Sequence, residues 1–203
     1  MESQTALVVP DEDNCMVVYS SSQVPESVQS IISRCLNIPE HNVRVITRRV
    51  GGGFGGKAIK AMPMSINYYT FILPVAAACA LAAYKLRRPV RTYVNRKTDM
   101  ILAGAGRRHP MKINYTIGFK SKGKITALHL DVLINAGMSI DVSLIIPWNF
   151  VGSLKKYNFG ALSFDIILCK TNNSCKSAMR APGEVQGSYI AEAIIEHVRL
   201  TFR

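Results

Sequence analysis

The sequence predicts an α+β fold in which strands and helices are mixed along the chain. Three observations carry this expectation. Two alternating segments, Lys112 to Phe119 and Ile125 to Asn135, flank the polar turn Ser121-Lys122-Gly123-Lys124 and read as an antiparallel hairpin. The alanine-rich stretch Val75 to Leu86 reads as a helix, as does a C-terminal stretch with Tyr189, Ile190, Ala193, Ile194 and Val198 at helical spacing. No regular strand–helix alternation, internal repeat or low-complexity tract accompanies them.

In chain order, Met16 to Tyr19 is a short apolar run that reads as a strand, broken by Ser20, Ser21 and Ser22. Pro25 suits a first helical turn, and Val28, Ile31, Ile32, Cys35 and Leu36 follow as one buried stripe. Asn37 and Pro39 close that helix. A strand over Asn42 to Val50 runs into the loop Gly51-Gly52-Gly53-Phe54-Gly55-Gly56-Lys57. Beyond it, Pro63 and Pro74 bracket an aromatic segment, and the alanine-rich helix follows. Val90 to Asn95 reads as a strand, then comes the hairpin, then a strand over Phe164 to Cys169. Thr171 to Gly183 is a polar loop leading to the final helix.

The chain has 203 residues, enough for one domain with its own core, and 48% are hydrophobic, which excludes extended disorder. A net charge of +12 leaves two readings open: an anionic partner, or a segment of a larger protein whose acidic residues lie elsewhere. The basic residues are scattered in doublets without an aromatic-interleaved stripe, so no nucleic-acid partner is expected. The five cysteines are odd in number and lack a CxxC, which supports neither a disulfide framework nor a zinc or iron–sulfur site. A reducing compartment fits. The polar N-terminus does not have the layout of a signal peptide, and the longest apolar stretch, Thr70 to Tyr84, contains Pro74 and is too short to span a bilayer. No membrane partner is therefore expected.

Five glycines among six residues, Gly51 to Gly56, allow positive φ and let a ligand approach the backbone. N–H groups there could bind an oxyanion. Two fingerprints fit formally and fail chemically. Gly51, Gly53 and Gly56 satisfy GxGxxG, but the acidic residue that should follow about 20 positions on is missing. Gly51, Gly56 and Lys57 satisfy GxxxxGK, but Ala58 lacks the hydroxyl that would hold Mg²⁺. On glycine content alone, a tight turn without a ligand remains open.

The string Arg48-Arg49-Val50-Gly51-Gly52-Gly53-Phe54-Gly55-Gly56-Lys57 resembles the cofactor loop of the molybdenum hydroxylase family of xanthine dehydrogenases and aldehyde oxidases. Tyr19-Ser20-Ser21-Ser22-Gln23 before a helix resembles the family segment that carries a glutamine near the molybdenum. Asn95-Arg96-Lys97-Thr98-Asp99-Met100 and Gly106-Arg107-Arg108-His109-Pro110 resemble further family stretches. So do Cys169-Lys170-Thr171-Asn172 and Ala178-Met179-Arg180-Ala181-Pro182-Gly183-Glu184. Order and spacing agree over nearly the whole chain, and the likeness is strongest to the aldehyde oxidases of plants.

The resemblance implies part of a molybdopterin-binding domain, with a molybdenum–molybdopterin cofactor approached by Gln23, Phe54, Gly55 and Arg180. Read without it, Gln23 is a capping residue before Pro25 and Arg180 a surface arginine. The resemblance further implies a cytoplasmic enzyme that oxidises aldehydes to carboxylic acids with oxygen from water, and homodimers among full-length members. The [2Fe–2S] clusters and FAD belong to full-length members alone. No residue of this chain is given a catalytic or metal-ligand role. Glu184 reads as a helix N-terminal acid, and the isolated chain is expected to be inactive. A second class, a non-catalytic cofactor-binding or interaction protein, is distinguished by chain length.

Xanthine-oxidising members carry a glutamate where this chain has Ala58, which favours an aldehyde over a purine; near Trp148 they carry a substrate-orienting arginine that plant aldehyde oxidases keep, and there this chain departs from both. Residues 1–203 are thus expected to form a partial cofactor-binding domain, with an insertion over 64–74 and a smaller one around Ala105. The larger insertion carries Tyr68, Tyr69, Phe71, Ile72 and Leu73 between prolines that prevent a simple helical extension. Deleting it and joining Pro63 to Val75 is expected to raise solubility and stability. Chemical denaturation checks this: a loss of several kcal/mol, as for removed core aromatics, would mark the segment as part of the core.

Overall fold

The computed structural model describes residues 3–58, 75–102, 106–138 and 140–201. The 64–74 segment and Ala105 lie outside the described residues. The chain divides into two compact units, Met1–Arg107 and Arg108–Arg203, each with its own core. The mixed α+β character expected from the sequence holds in both.

Unit 1 is a four-stranded sheet in the order β3-β2-β1-β4. β1 (Thr5–Pro10) pairs antiparallel with β2 (Met16–Ser20) and with β4 (Val90–Tyr93). β3 (Val43–Ile46) pairs parallel with β2, so α1 (Pro25–Leu36) is the crossover between them. Val28, Ile32 and Leu36 form the buried stripe of α1, and Asn37 ends it in the left-handed conformation, its N–H bonded to the Ser33 carbonyl. α2 spans Val75–Leu86 as the alanine pattern predicts. Its small residues Ala76, Ala80 and Ala83 let it lie close on Ala6, Val8 and Val18, and the Cys79 thiol donates to the Val90 carbonyl at 3.0 Å. The strand expected over Asn42 to Val50 stops at Ile46, where the chain turns toward the glycine loop. β1 and the short helix α3 (Arg96–Leu102) are additions to the sequence reading.

Unit 2 is a three-stranded sheet in the order β5-β6-β7. The hairpin is present: β5 (Met111–Phe119) and β6 (Ile125–Gly137) pair antiparallel. β7 (Ala161–Lys170) pairs parallel with β6. The crossover holds α4 (Ile146–Leu154), which the sequence reading leaves unassigned. Along β6, Leu128, Leu130, Val132 and Ile134 face the core while Asp131 and Leu133 are exposed. α5 (Glu184–Thr201) closes the core with Gly187, Ala191, Ile194 and Val198. This corrects the expected stripe in part. Tyr189 is 75% exposed and Ala193 is also exposed, because a face through Ala191, Ile194 and Val198 turns both outward.

The packing of α4 against α5 rests on Gly187, where an added Cβ would lie 1.9 Å from the Ser153 hydroxyl and 2.6 Å from the Phe150 carbonyl oxygen. Gly187→Ala is therefore expected to force the helices apart and to lower stability by about 1–3 kcal/mol, measurable by urea denaturation.

Candidate functional site

In unit 1 the glycine loop leaves β3 and doubles back. Gly51 (φ 69°), Phe54 (φ 48°) and Gly55 (φ 85°) all adopt left-handed backbone. For Phe54 this conformation is strained, and it leaves the ring 44% exposed. The loop is tied from several directions. The Gly56 N–H donates to the Gly53 carbonyl at 2.9 Å, and the Gly106 N–H to the Phe54 carbonyl at 2.8 Å. The Lys57 ammonium, buried, donates to the Val50 carbonyl. Gln4 donates through Nε2 to the Gly56 carbonyl (3.3 Å) and to Asp99 Oδ1 (3.2 Å). Asp99 is itself buried beside Arg96. Behind the loop lies a small cavity of about 20 Å³, with Gln4, Ser21, Ser22, Gly56 and Lys57 among its lining residues. It has room for about one water.

Gln23 meets this loop. Its N–H donates to the Lys57 carbonyl at 2.9 Å, and its Oε1 lies 3.1 Å from the place a Cβ on Gly53 would take. It does not cap α1. Val24 holds that position without a side-chain bond, and the Ser22 hydroxyl accepts from the Val24 N–H. Three of the four residues singled out by sequence, Gln23, Phe54 and Gly55, therefore converge. Gly55 is buried, and its N–H makes no hydrogen bond to a described residue. These are features that suit an oxygen-rich or phosphorylated ligand: an amide side chain and an uncommitted N–H on a surface with little side-chain bulk.

Arg180 belongs to unit 2, in the loop between β7 and α5, and is exposed. Arg108 holds that loop by donating to the carbonyls of Met179 (3.4 Å) and Arg180 (3.0 Å). The Asn149 amide donates to the Pro182 carbonyl at 2.8 Å, and Ala181 takes a left-handed φ of 52°. Gly183 lies so close to α4 that a Cβ would be 2.6 Å from the Ile146 carbonyl oxygen. Beneath the loop His109 is buried, its Nε2 2.9 Å from the Ser143 hydroxyl. Burial, and secondarily the charge of Lys176, lowers its pKa from 6.5 to about 4.

The residues that sequence reasoning missed are these supports: Gln4, Asp99, Arg108, His109 and Asn149. Asp99, Arg108 and His109 lie in the Asn95–Met100 and Gly106–Pro110 strings that carry the resemblance, whereas Gln4 and Asn149 have no signal in the sequence.

A family profile described as "Molybdopterin cofactor-binding domain" matches residues 1–199. The chain is 65% identical over 198 residues to "Aldehyde oxidase 4" of Arabidopsis thaliana, which covers 98% of this chain and 14% of that protein. It is 66% identical over 198 residues to "Indole-3-acetaldehyde oxidase" of Zea mays, with the same shares of each. The chain thus spans about one-seventh of the length of these relatives. Among solved structures, quinoline 2-oxidoreductase from Pseudomonas putida 86 matches with a TM-score of 0.80 at 22% identity, over 100% of this chain and 25% of that one. The aldehyde oxidoreductase of Desulfovibrio gigas matches with a TM-score of 0.70 at 20% identity, over 97% of this chain and 20% of that one. At these identities the two structures establish the fold alone.

His109 makes stability depend on pH. The unfolded imidazole takes up a proton near pH 6.5, whereas the folded one stays neutral down to about pH 4. Stability is therefore full above pH 6.5 and falls as the pH drops toward 4. The loss is on the order of 3 kcal/mol, at about 1.4 kcal/mol for each pH unit between the two values. Denaturation midpoints measured from pH 7 to 4 should show the fall, and His109→Gln should flatten it.

Proposed function

The chain belongs to the molybdopterin cofactor-binding domain family, and on that premise we propose that it forms part of the cofactor cradle of an aldehyde-oxidising molybdenum hydroxylase. The observation that carries this reading is the meeting of Gln23 with Gly53, which holds an amide side chain against the backbone of a five-glycine loop. When bound, the molybdenum–molybdopterin group supplies the two-electron oxidation chemistry that no side chain here can supply.

The protein's own contribution is binding and orientation. The Gln23 amide and the Gly55 N–H act as hydrogen-bond donors to the cofactor's oxygen atoms. The exposed Phe54 ring would offer an apolar face to the group. Arg180, whose carbonyl accepts from Arg108, would offer a positive charge to an anionic group of the cofactor. No residue of this chain serves as the general base in this reading, and the iron–sulfur clusters and FAD lie elsewhere in a full-length enzyme.

The proposed substrate class is an aldehyde rather than a purine. Ala58 offers no acid to hydrogen-bond a purine. Relatives named for indole-3-acetaldehyde and abscisic aldehyde support this class. A cytosolic setting agrees with five cysteines that are all free thiols. Among the described residues no helix is long and apolar enough to cross a membrane.

In a complete enzyme built around this segment, Gln23→Ala and Arg180→Ala should each lower kcat/KM by about 10²-fold, the scale of one lost oxyanion donor. Molybdenum and pterin content should fall with it, while thermal melts move little. Loss of folding in step with loss of activity would overturn the assignment of these residues to the cofactor.

A further inference from the structure

We propose that Asp99 is a positioning residue for the cofactor. Acting through Gln4, it holds the glycine loop so that the Gly55 N–H, the donor offered to the cofactor, keeps its aim. The inference rests on the reading of this loop as a cofactor cradle, and it gives a role to two side chains that lie behind the loop. The observation is an uncommitted donor set among engaged peptides. The Gly55 N–H makes no hydrogen bond to a described residue, whereas the peptides around it are each tied at one end.

Three consecutive peptides set that aim. A trans peptide group is planar, with its C=O and N–H pointing in opposite directions. The Phe54 carbonyl accepts from the Gly106 N–H at 2.8 Å, which turns the Gly55 N–H of the same plane away from Gly106. The next peptide is tied by its N–H, which Gly56 donates to the Gly53 carbonyl at 2.9 Å. The third is tied by the Gly56 carbonyl, which accepts from Gln4 Nε2 at 3.3 Å. Phe54, at φ 48°, keeps its strained backbone only while the surroundings over-determine it. Released at Gly56, the loop can relax through Phe54 and Gly55, and the donor rotates out of line.

The Gln4 bond depends in turn on Asp99. At 3.3 Å the bond to Gly56 is long, and a glutamine held by it alone has other rotamers to visit. Gln4 Nε2 also donates to Asp99 Oδ1 at 3.2 Å, so two acceptors together fix which way the amide faces. Asp99 has little freedom of its own. It is 3% exposed, its N–H donates to the Asn95 carbonyl at 2.8 Å, and Arg96 lies 3.8 Å from its second oxygen. A buried carboxylate that gives one oxygen to a glutamine amide supplies an orientation that an apolar residue cannot. Asp99 thus stands two hydrogen bonds away from the loop, and its effect on the loop passes through Gln4.

The test uses a complete enzyme built around this segment and follows, by pterin fluorescence, the rate at which the cofactor is lost on dilution. Thermal melts of every variant keep the assay below the melting range. Gln4→Met keeps the length of the side chain and removes the donor. Asp99→Leu removes the acceptor, and Asp99→Asn keeps an acceptor of the same shape. Gln4→Met and Asp99→Leu should each speed pterin loss about tenfold, the scale of one hydrogen bond, while Asp99→Asn stays near wild type. In the double variant, loss should be no faster than in Gln4→Met alone, because Asp99 acts through Gln4. If Asp99→Leu does not fold, Asp99→Ser takes its place in the same cycle. Additive effects of the two substitutions overturn the proposal, since Asp99 would then serve the fold by another route. Unchanged loss in both single variants, with faster loss in Gln23→Ala, also overturns it and leaves the cradle standing. Unchanged loss in Gln23→Ala as well overturns the cradle and the proposal with it.

Discussion

Gln23 lies against the glycine loop at Gly53, its Oε1 3.1 Å from the place a Cβ there would take. Much of unit 1 is arranged around that close approach. β2 delivers the chain to Gln23, and β3 delivers it to the loop; their parallel pairing places both ends at the same side of the sheet. Gln4 at the start of β1 and Asp99 on α3 then fasten the loop from behind through its Gly56 carbonyl. Gly106 fastens it through Phe54. Hydrogen bonds to main-chain carbonyls, rather than packed side chains, hold this surface in place. That is the arrangement expected where a backbone must stay open to a ligand yet remain rigid.

Most of the fold was legible in the sequence, and the omissions have physical causes. The α1 stripe, the alanine helix and the hairpin declare themselves through periodicity. β1 escaped because its alternating Ala6 and Val8 occupy a short strand without a strong turn signal before it. α4 escaped because Ile145, Ile146, Pro147 and Trp148 form a run that is apolar on every side, in which no helical period can be seen. The parallel pairings β2–β3 and β6–β7 are long-range contacts, and local pattern does not report them. In α5 the apolar residues outnumber the space on the buried face, so Tyr189 and Ala193 were assigned inward by character and are placed outward by geometry.

The candidate site divides in the same way. Gln23, Phe54, Gly55 and Arg180 were found through resemblance, not through composition, since each reads as ordinary when taken alone. The side chains that support them were not found. Arg108, Asn149, Gln4 and Asp99 are polar residues of loops and helix ends, which a sequence reader assigns to solvent. Their partners are carbonyls, amides and one another across long sequence separations, and no local spacing announces such bonds.

The central position of β6 has a consequence for misfolding. This strand is paired on both sides, antiparallel to β5 and parallel to β7. Slipping it by one residue would carry Leu128, Leu130, Val132 and Ile134 out of the core and bring His129, Asp131, Leu133 and Asn135 in. Two ladders would have to break together, and an aspartate and a histidine would enter an apolar layer. The alternation along one strand thus guards unit 2 against the register errors from which aggregation of β-structure begins.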